Sequence, residues 1–248
     1  MYRVFCKDSW WISPLAIALL STLQVVAQDV PPISQPIAVP QKFWLSEFNR
    51  QRHELAKGGH QVCFFGDSLT AFWTEQGVGS WELDLKEFRP LNSGIAGDRV
   101  ENIHFRVRES TFPSPPPKAL VVLAGTNNLG KQPPDDSDAV ADGVLALVKT
   151  LQLKAPKSEI LVLSILPSGV EPDSALRRNI RRTNARLATD VPKTGAAWLD
   201  FYDRFVDDDG HWLPGLTVDG THLTSRGYDR LAAPVKAWLE AKLGKLVE

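Results

Sequence analysis

Continuous apolar runs occupy Val62 to Phe65, Ala119 to Ala124 and most of Glu159 to Leu166. Runs of this length, closed by Gly66, Gly125 and Pro167, predict strands buried on both faces. A shorter run, Ala196 to Leu199, predicts one more strand, and Leu91-Asn92 leads into a glycine-rich turn, Gly94 to Gly97. Between them, apolar residues recur at helical spacing. The pattern predicts helices over Lys42 to about Lys57, Val100 to Val107, Ala139 to Leu153, Leu176 to Ala188 and Ser225 to Leu243. Gly58-Gly59 ends the first of these, and the last turns Leu231, Val235, Trp238 and Leu239 toward a core. Strands alternating with helices imply an α/β chain: a mostly parallel sheet, right-handed crossovers and helices on both faces. In such sheets ligands bind outside the carboxyl ends of the strands. Gly66-Asp67-Ser68, Gly94 to Gly97 and Gly125-Thr126-Asn127 each follow a strand, so all three are expected at one edge.

The first 40 residues read differently. Arg3 and Lys7 precede an apolar stretch from Trp10 to Val26, and Val25 and Ala27 are small residues at the positions a signal peptidase inspects. Residues 1–27 are therefore expected to be a signal peptide cut between Ala27 and Gln28, leaving a secreted or periplasmic protein. An uncleaved anchor fits less well. Ser13, Pro14, Ser21, Thr22 and Gln24 interrupt a stretch that would need about 20 largely apolar residues. Residues 28–40, punctuated by Pro31, Pro32, Pro36 and Pro40, form a proline-rich arm, and 41–248 a single domain. No later segment is long and apolar enough to hold the processed chain in a bilayer.

The 248 residues, 43% hydrophobic, suffice for one sizeable core. The 28 Lys and Arg balance 29 Asp and Glu, which argues against a nucleic-acid partner. Arg177, Arg178, Arg181 and Arg182 at this spacing are expected on the solvated face of a helix. Of the two cysteines, only Cys63 survives signal removal, so the exported domain has no internal disulfide, and Cys63 reads as a small buried hydrophobe. His53, His60, His104 and His211 lack metal-ligand spacing, and Asp207-Asp208-Asp209-Gly210 lacks the later acidic ligands of a calcium loop, so no metal is expected.

Three sets of positions suggest chemistry. Ser68, just beyond a buried strand, can present a hydroxyl nucleophile, though a serine there also suits a helix N-cap. Asp219 and His222, three apart around Gly220 on a loop, can face one another as orienting carboxylate and base, or be a cap beside an ordinary histidine. Gly97 and Asn127 can offer a backbone N–H and a neutral side-chain N–H to a developing oxyanion, or simply make tight turns. Trp73 and Trp212, close in sequence to these blocks, are candidates for stacking on substrate, with core or rim placement as the alternative.

The order Gly66-Asp67-Ser68-Leu69, Asn92-x-Gly94-x-x-Gly97-Asp98, Gly125-Thr126-Asn127-Asn128 and Asp219-x-x-His222-Leu223 resembles the four blocks of the SGNH (GDSL) hydrolases, over about Lys42 to Leu243. It most resembles the branch typified by the catalytic subunits of intracellular platelet-activating-factor acetylhydrolase. The Gly-Thr-Asn-Asn block, Leu166-Pro167-Ser168-Gly169 and His222-Leu223-Thr224 match that branch, and some bacterial carbohydrate deacetylases are similar. The resemblance implies a three-layer, flavodoxin-like parallel sheet of five strands in the order 2-1-3-4-5. It implies Ser68 as nucleophile, His222 as base and then acid, Asp219 as its orienter, and Ser68 N–H, Gly97 N–H and the Asn127 amide as oxyanion hole. Asp67 reads as structural. The implied activity is cleavage of short acyl esters, acetyl foremost, without a cofactor, and export tilts the substrate toward acetylated carbohydrate. A lipase, lysophospholipase or thioesterase using the same residues, a non-catalytic binding or scaffold protein on this fold, and a homo-oligomeric or partner-assembled subunit stay open as alternatives.

Overall fold

The computed structural model describes residues 32–244, and the expected signal peptide and its cut lie outside them. The helices are α1 (Lys42–Lys57), α2 (Ser68–Ala71), α3 (Val78–Ser80), α4 (Val100–Glu109), α5 (Thr126–Gly130), α6 (Ser137–Lys154), α7 (Ala175–Asp190) and α8 (Ser225–Leu243). The strands are β1 (Val62–Gly66), β2 (Pro90–Gly94), β3 (Ala119–Leu123), β4 (Glu159–Leu163) and β5 (Ala197–Leu199). All five form one parallel sheet in the order β2-β1-β3-β4-β5, as the resemblance implied.

Each apolar run feeds two cores. Cys63, Phe65, Leu120, Val122, Ile160 and Val162 pack with apolar residues of α4, α6 and α7. Val62, Phe64, Val121, Leu161 and Leu163 pack with α8 and the helical turns after α2. With both faces covered, neither set of alternating positions can be polar, which is why the runs are unbroken. Cys63 is buried and free, and burial pushes its thiol far up. Residues 32–40 lie along α4: Ile37 N donates to Glu101 O at 3.0 Å, Asn102 Nδ2 donates to Ile37 O at 3.0 Å, and Ile33 packs on the first core. No helix among the described residues is long and apolar enough to cross a membrane.

Two stretches depart from the pattern. The chain from Ser68 to Phe88, unassigned from sequence, is a series of helical turns: α2, Phe72–Thr74, α3, a π-type turn Trp81–Leu85 and Lys86–Phe88. No turn is long enough to show a 3.6-residue period, yet Leu69, Trp73, Trp81, Leu85 and Phe88 all bury against the sheet. β4 stops at Leu163 rather than Leu166 because Asn184 of α7 replaces a strand as the partner of Ile165. Asn184 Oδ1 accepts from Ile165 N at 2.9 Å and its Nδ2 donates to Ile165 O at 2.8 Å. Gly66 stands level with Gly94 of β2 and Leu123 of β3. The three following turns therefore leave the sheet side by side. Gly94 admits α2 against the strand, since a Cβ there would lie 2.3 Å from Ala71 N.

Candidate active site

Ser68 opens α2 directly after β1. Asp67 caps that helix, its Oδ1 accepting from Leu69 N at 2.9 Å. Asn92 of β2 donates through Nδ2 to Thr70 O at 2.7 Å, and Tyr228 of α8 donates its hydroxyl to Leu69 O at 2.9 Å. The serine is thus fixed from three elements and is 8% exposed.

His222 arrives from 154 residues away, with Nε2 3.0 Å from Ser68 Oγ. Its Nδ1 lies 2.7 Å from Asp219 Oδ2. A carboxylate accepts only, so Nδ1 carries the proton and Nε2 is left with a lone pair toward the serine hydroxyl. Asp219 is held in turn, Oδ1 accepting from Thr221 N at 2.9 Å and His222 N at 2.8 Å. Partial burial works against its charge, but the bonds from the His222 ring and the two N–H groups outweigh it and hold the carboxyl below its usual range. The loop closes on itself through Thr217, whose Oγ1 donates to His222 O at 2.9 Å and accepts from Gly220 N at 2.9 Å. Phe72 packs its ring 5.4 Å from that of His222.

Gly97 has φ of +83°, which aims its backbone in a direction other residues resist. Among the described residues, neither Ser68 N–H nor Gly97 N–H donates to a protein acceptor. Asn127 Nδ2 donates to Asp98 O at 2.9 Å and reaches Asp67 Oδ2 only at 3.4 Å. One of its hydrogens is therefore well engaged and the other weakly. Gly97 and Asn127 line a cleft of about 540 Å³ shared with Thr126, Ser168, Gly169 and Thr221. Asn128, next along, is wholly structural. It accepts from Val100 N and donates to Glu101 and Asp135, each at 2.9 Å.

Beneath the site lies an ion pair the sequence did not disclose. Arg106 and Asp98, each 1% exposed, meet at 2.7 Å. Arg106 also donates to Gly66 O at 3.0 Å and Ser93 O at 2.8 Å, and Trp44 Nε1 donates to Asp98 at 2.6 Å. The pair so fastens the ends of β1 and β2 and the carbonyl that anchors Asn127. Its only sequence signal is an arginine three residues from Ile103, on the apolar face of α4.

Asp67 is as buried as that pair but, among the described residues, pairs with no cation. Burial pushes its carboxyl up to about 7; the Leu69 N–H works against this, Asp98 adds to it and His222 opposes it. A raised value means that the folded protein binds this proton more tightly than the unfolded chain does. The resulting stability is complete below the unfolded value, near 3.8, and is lost as pH rises toward about 7. Asp67→Asn removes the titration. The wild-type melting temperature should therefore fall relative to the variant's between about pH 4 and pH 7. Melting curves that keep a constant offset over that range would contradict the assignment.

Of the two tryptophans, Trp73 takes the core placement that stood as the alternative. It is 1% exposed, packed among Phe64, Trp81 and Tyr228, with its N–H donated to Ser80 Oγ at 3.1 Å. The helical turns after α2 point it down onto the sheet. Trp212 is half-buried and donates its N–H to Gly169 O at 3.2 Å. It thereby backs Gly169, which lines the cleft. Among the described residues, no group of three or more His, Cys, Asp or Glu is placed to hold a metal ion.

The family model of GDSL-like lipases and acylhydrolases matches residues 64–230. Platelet-activating factor acetylhydrolase IB subunit alpha2 of Rattus norvegicus is 29% identical over 211 residues, 82% of this chain and 89% of that one. A GDSL-like lipase from Bacteroides thetaiotaomicron aligns with a TM-score of 0.66 at 21% identity, covering 78% of this chain and 97% of its own. A catalytic mutant of an acetylxylan esterase from Geobacillus stearothermophilus aligns with a TM-score of 0.58 at 18% identity, covering 77% and 97%. At these identities the two structures bear on the fold.

Proposed function

The chain belongs to the GDSL-like lipase/acylhydrolase family, and from that premise we propose that it cleaves short acyl esters, acetyl above all, on carbohydrate outside the cytoplasm. The observation that carries this reading is the hydrogen-bonded series Ser68 Oγ, His222 Nε2, His222 Nδ1 and Asp219 Oδ2, with steps of 3.0 and 2.7 Å.

In this reading Ser68 Oγ attacks the ester carbon while its proton passes to His222 Nε2. The imidazolium is stabilised by Asp219, and the oxyanion by Ser68 N–H, Gly97 N–H and Asn127 Nδ2. On collapse, His222 returns the proton to the leaving alcohol, and acyl-Ser68 remains. Water, deprotonated by His222, then releases the carboxylic acid and restores the serine. Every proton has a donor and an acceptor within the site, so no cofactor enters.

Cleft chemistry supports a carbohydrate. Glycines, hydroxyls, an amide, Arg99 and Lys131 line it, and Leu176 is its one large apolar side chain. Such a surface matches sugar hydroxyls better than a long acyl chain. The acetyl-cleaving relatives and the leader-like N-terminus support acetyl transfer to water and export. One feature favours a long-chain lipase instead: Val170 and Val218, beside the Asp219–His222 loop, are 67% and 69% exposed.

The deciding experiment is a screen of acetylated xylo-oligosaccharides, acetylated phospholipids and nitrophenyl esters of increasing acyl length, with Ser68→Ala as control. Preference for acetyl-sugars and a steep fall beyond the shortest acyl groups is expected. Highest turnover on long-chain esters would replace this reading with the lipase one, and wild-type protein that neither turns over any ester nor reacts with a fluorophosphonate would point to a binding protein.

A further inference from the structure

Arg177 does not behave as its neighbours do. Arg178, Arg181 and Arg182 lie on the solvated side of α7, as expected, whereas Arg177 is completely buried. Helical periodicity explains this: Arg177 shares its face with Ile180, Thr183 and Asn184, all buried. What the period does not explain is why a guanidinium occupies that slot. Among the described residues no carboxylate pairs with it, and an uncompensated buried cation is costly.

All its bonds go to neutral oxygens, and most go to one loop. Nε donates to Ser168 O at 3.0 Å and Gly169 O at 3.2 Å, and Nη2 donates to Gly169 O at 2.9 Å. Nη1 donates to Tyr202 Oη at 3.2 Å and Gly210 O at 3.3 Å. The ring of Trp212 covers the guanidinium at 5.6 Å, and its Nε1 adds a further bond to Gly169 O. The gripped loop in turn holds the one bearing the base. Gly169 N donates to Gly220 O at 2.8 Å, and Ser168 Oγ meets Thr221 Oγ1 at 2.7 Å. Gly220 and Thr221 are the two residues between Asp219 and His222.

We propose that Arg177, with Trp212, is a positioning residue for the hydrolytic site: by clamping Ser168–Gly169 it fixes Gly220–Thr221 and so keeps Asp219 and His222 in register with Ser68. The rigid planar fork is what the role requires. It reaches several carbonyls at fixed angles, which a point-charged lysine or a thioether cannot. The inference rests on the Ser68–His222–Asp219 reading.

The test compares wild type with Arg177→Met, Arg177→Lys and Trp212→Phe on nitrophenyl acetate, together with proton NMR of the hydrogen-bonded Nδ1 proton of His222, identified by its absence in His222→Ala. Arg177→Met and Arg177→Lys should each lose about 10- to 100-fold in kcat, the scale of a slightly misplaced catalytic group. Their Nδ1 resonance should broaden or move, while cooperative melting shows that the fold persists. Trp212→Phe, which keeps the ring and removes one donor, should change both readouts in the same direction but less, and it carries the test if the arginine variants do not fold. Folded variants with wild-type kcat and an unchanged resonance would overturn the proposal. Failure of the underlying reading looks different: the Ser68→Ala protein would then keep the wild-type rate.

Discussion

Ser68→Ala is expected to lower kcat on an aryl acetate by on the order of 10⁶-fold, the scale for loss of a nucleophile from a Ser–His–Asp set. Among the described residues no other hydroxyl is bonded to His222 Nε2. Ser68 Oγ holds that bond at 3.0 Å, and the neighbouring Asp67 is occupied in capping α2. His222→Ala should lose a similar factor, and the double variant little more, because nucleophile and base act as a unit and the second removal takes away nothing still in use. Stability should barely change, since alanine suits the first turn of α2 and leaves no buried carboxylate without its bonds. The checks are steady-state kinetics, fluorophosphonate labelling and thermal melting on the same preparations. A Ser68→Ala protein with a tenth of wild-type turnover would remove Ser68 as nucleophile.

Asn127→Ala should cost ~10²–10³ in kcat with little change in KM, as for other single oxyanion donors. The Asn127 amide is anchored by Asp98 O at 2.9 Å, so its orientation is set, and its contact with Asp67 at 3.4 Å is too long to hold the second hydrogen firmly. That hydrogen is available to an oxyanion in its path without breaking a firm bond. The benefit appears as charge develops on the carbonyl, so it falls on kcat more than on binding. Asn127→Asp sharpens the test. It keeps the shape and puts a carboxylate beside Asp67 and the forming negative charge, so it should be at least as impaired as the alanine variant. Near-wild-type kcat in Asn127→Ala would leave the two backbone donors as the whole hole.

The fold was legible because its signals are local. The unbroken runs of β1, β3 and β4 could be nothing but doubly covered strands, and alternation with periodic helices leaves a parallel sheet as the natural arrangement. Three of the site blocks were legible for a related reason: those at Ser68, Gly97 and Asn127 each follow a strand, and level strands bring their ends together. The region from Ser68 to Phe88 escaped because its turns are each shorter than one hydrophobic period can reveal. Whether Trp73 faced core or substrate stayed open for the same reason, since its direction depends on a helical turn that residues near in sequence do not announce.

The amino-acid sequence alone therefore determined which segments are buried, how they alternate and which residue types stand at the strand ends, since periodicity and composition act over a few residues. Tertiary structure alone decided what each polar group bonds to. Arg178 and Arg177 are adjacent and chemically identical, yet one is solvated and the other clamps carbonyls of Ser168, Gly169 and Gly210. Asp67 and Asp98 are both buried, yet among the described residues only Asp98 meets an arginine. Those outcomes depend on acceptors and charges brought from distant parts of the chain, and such partners exist only once the sheet has assembled.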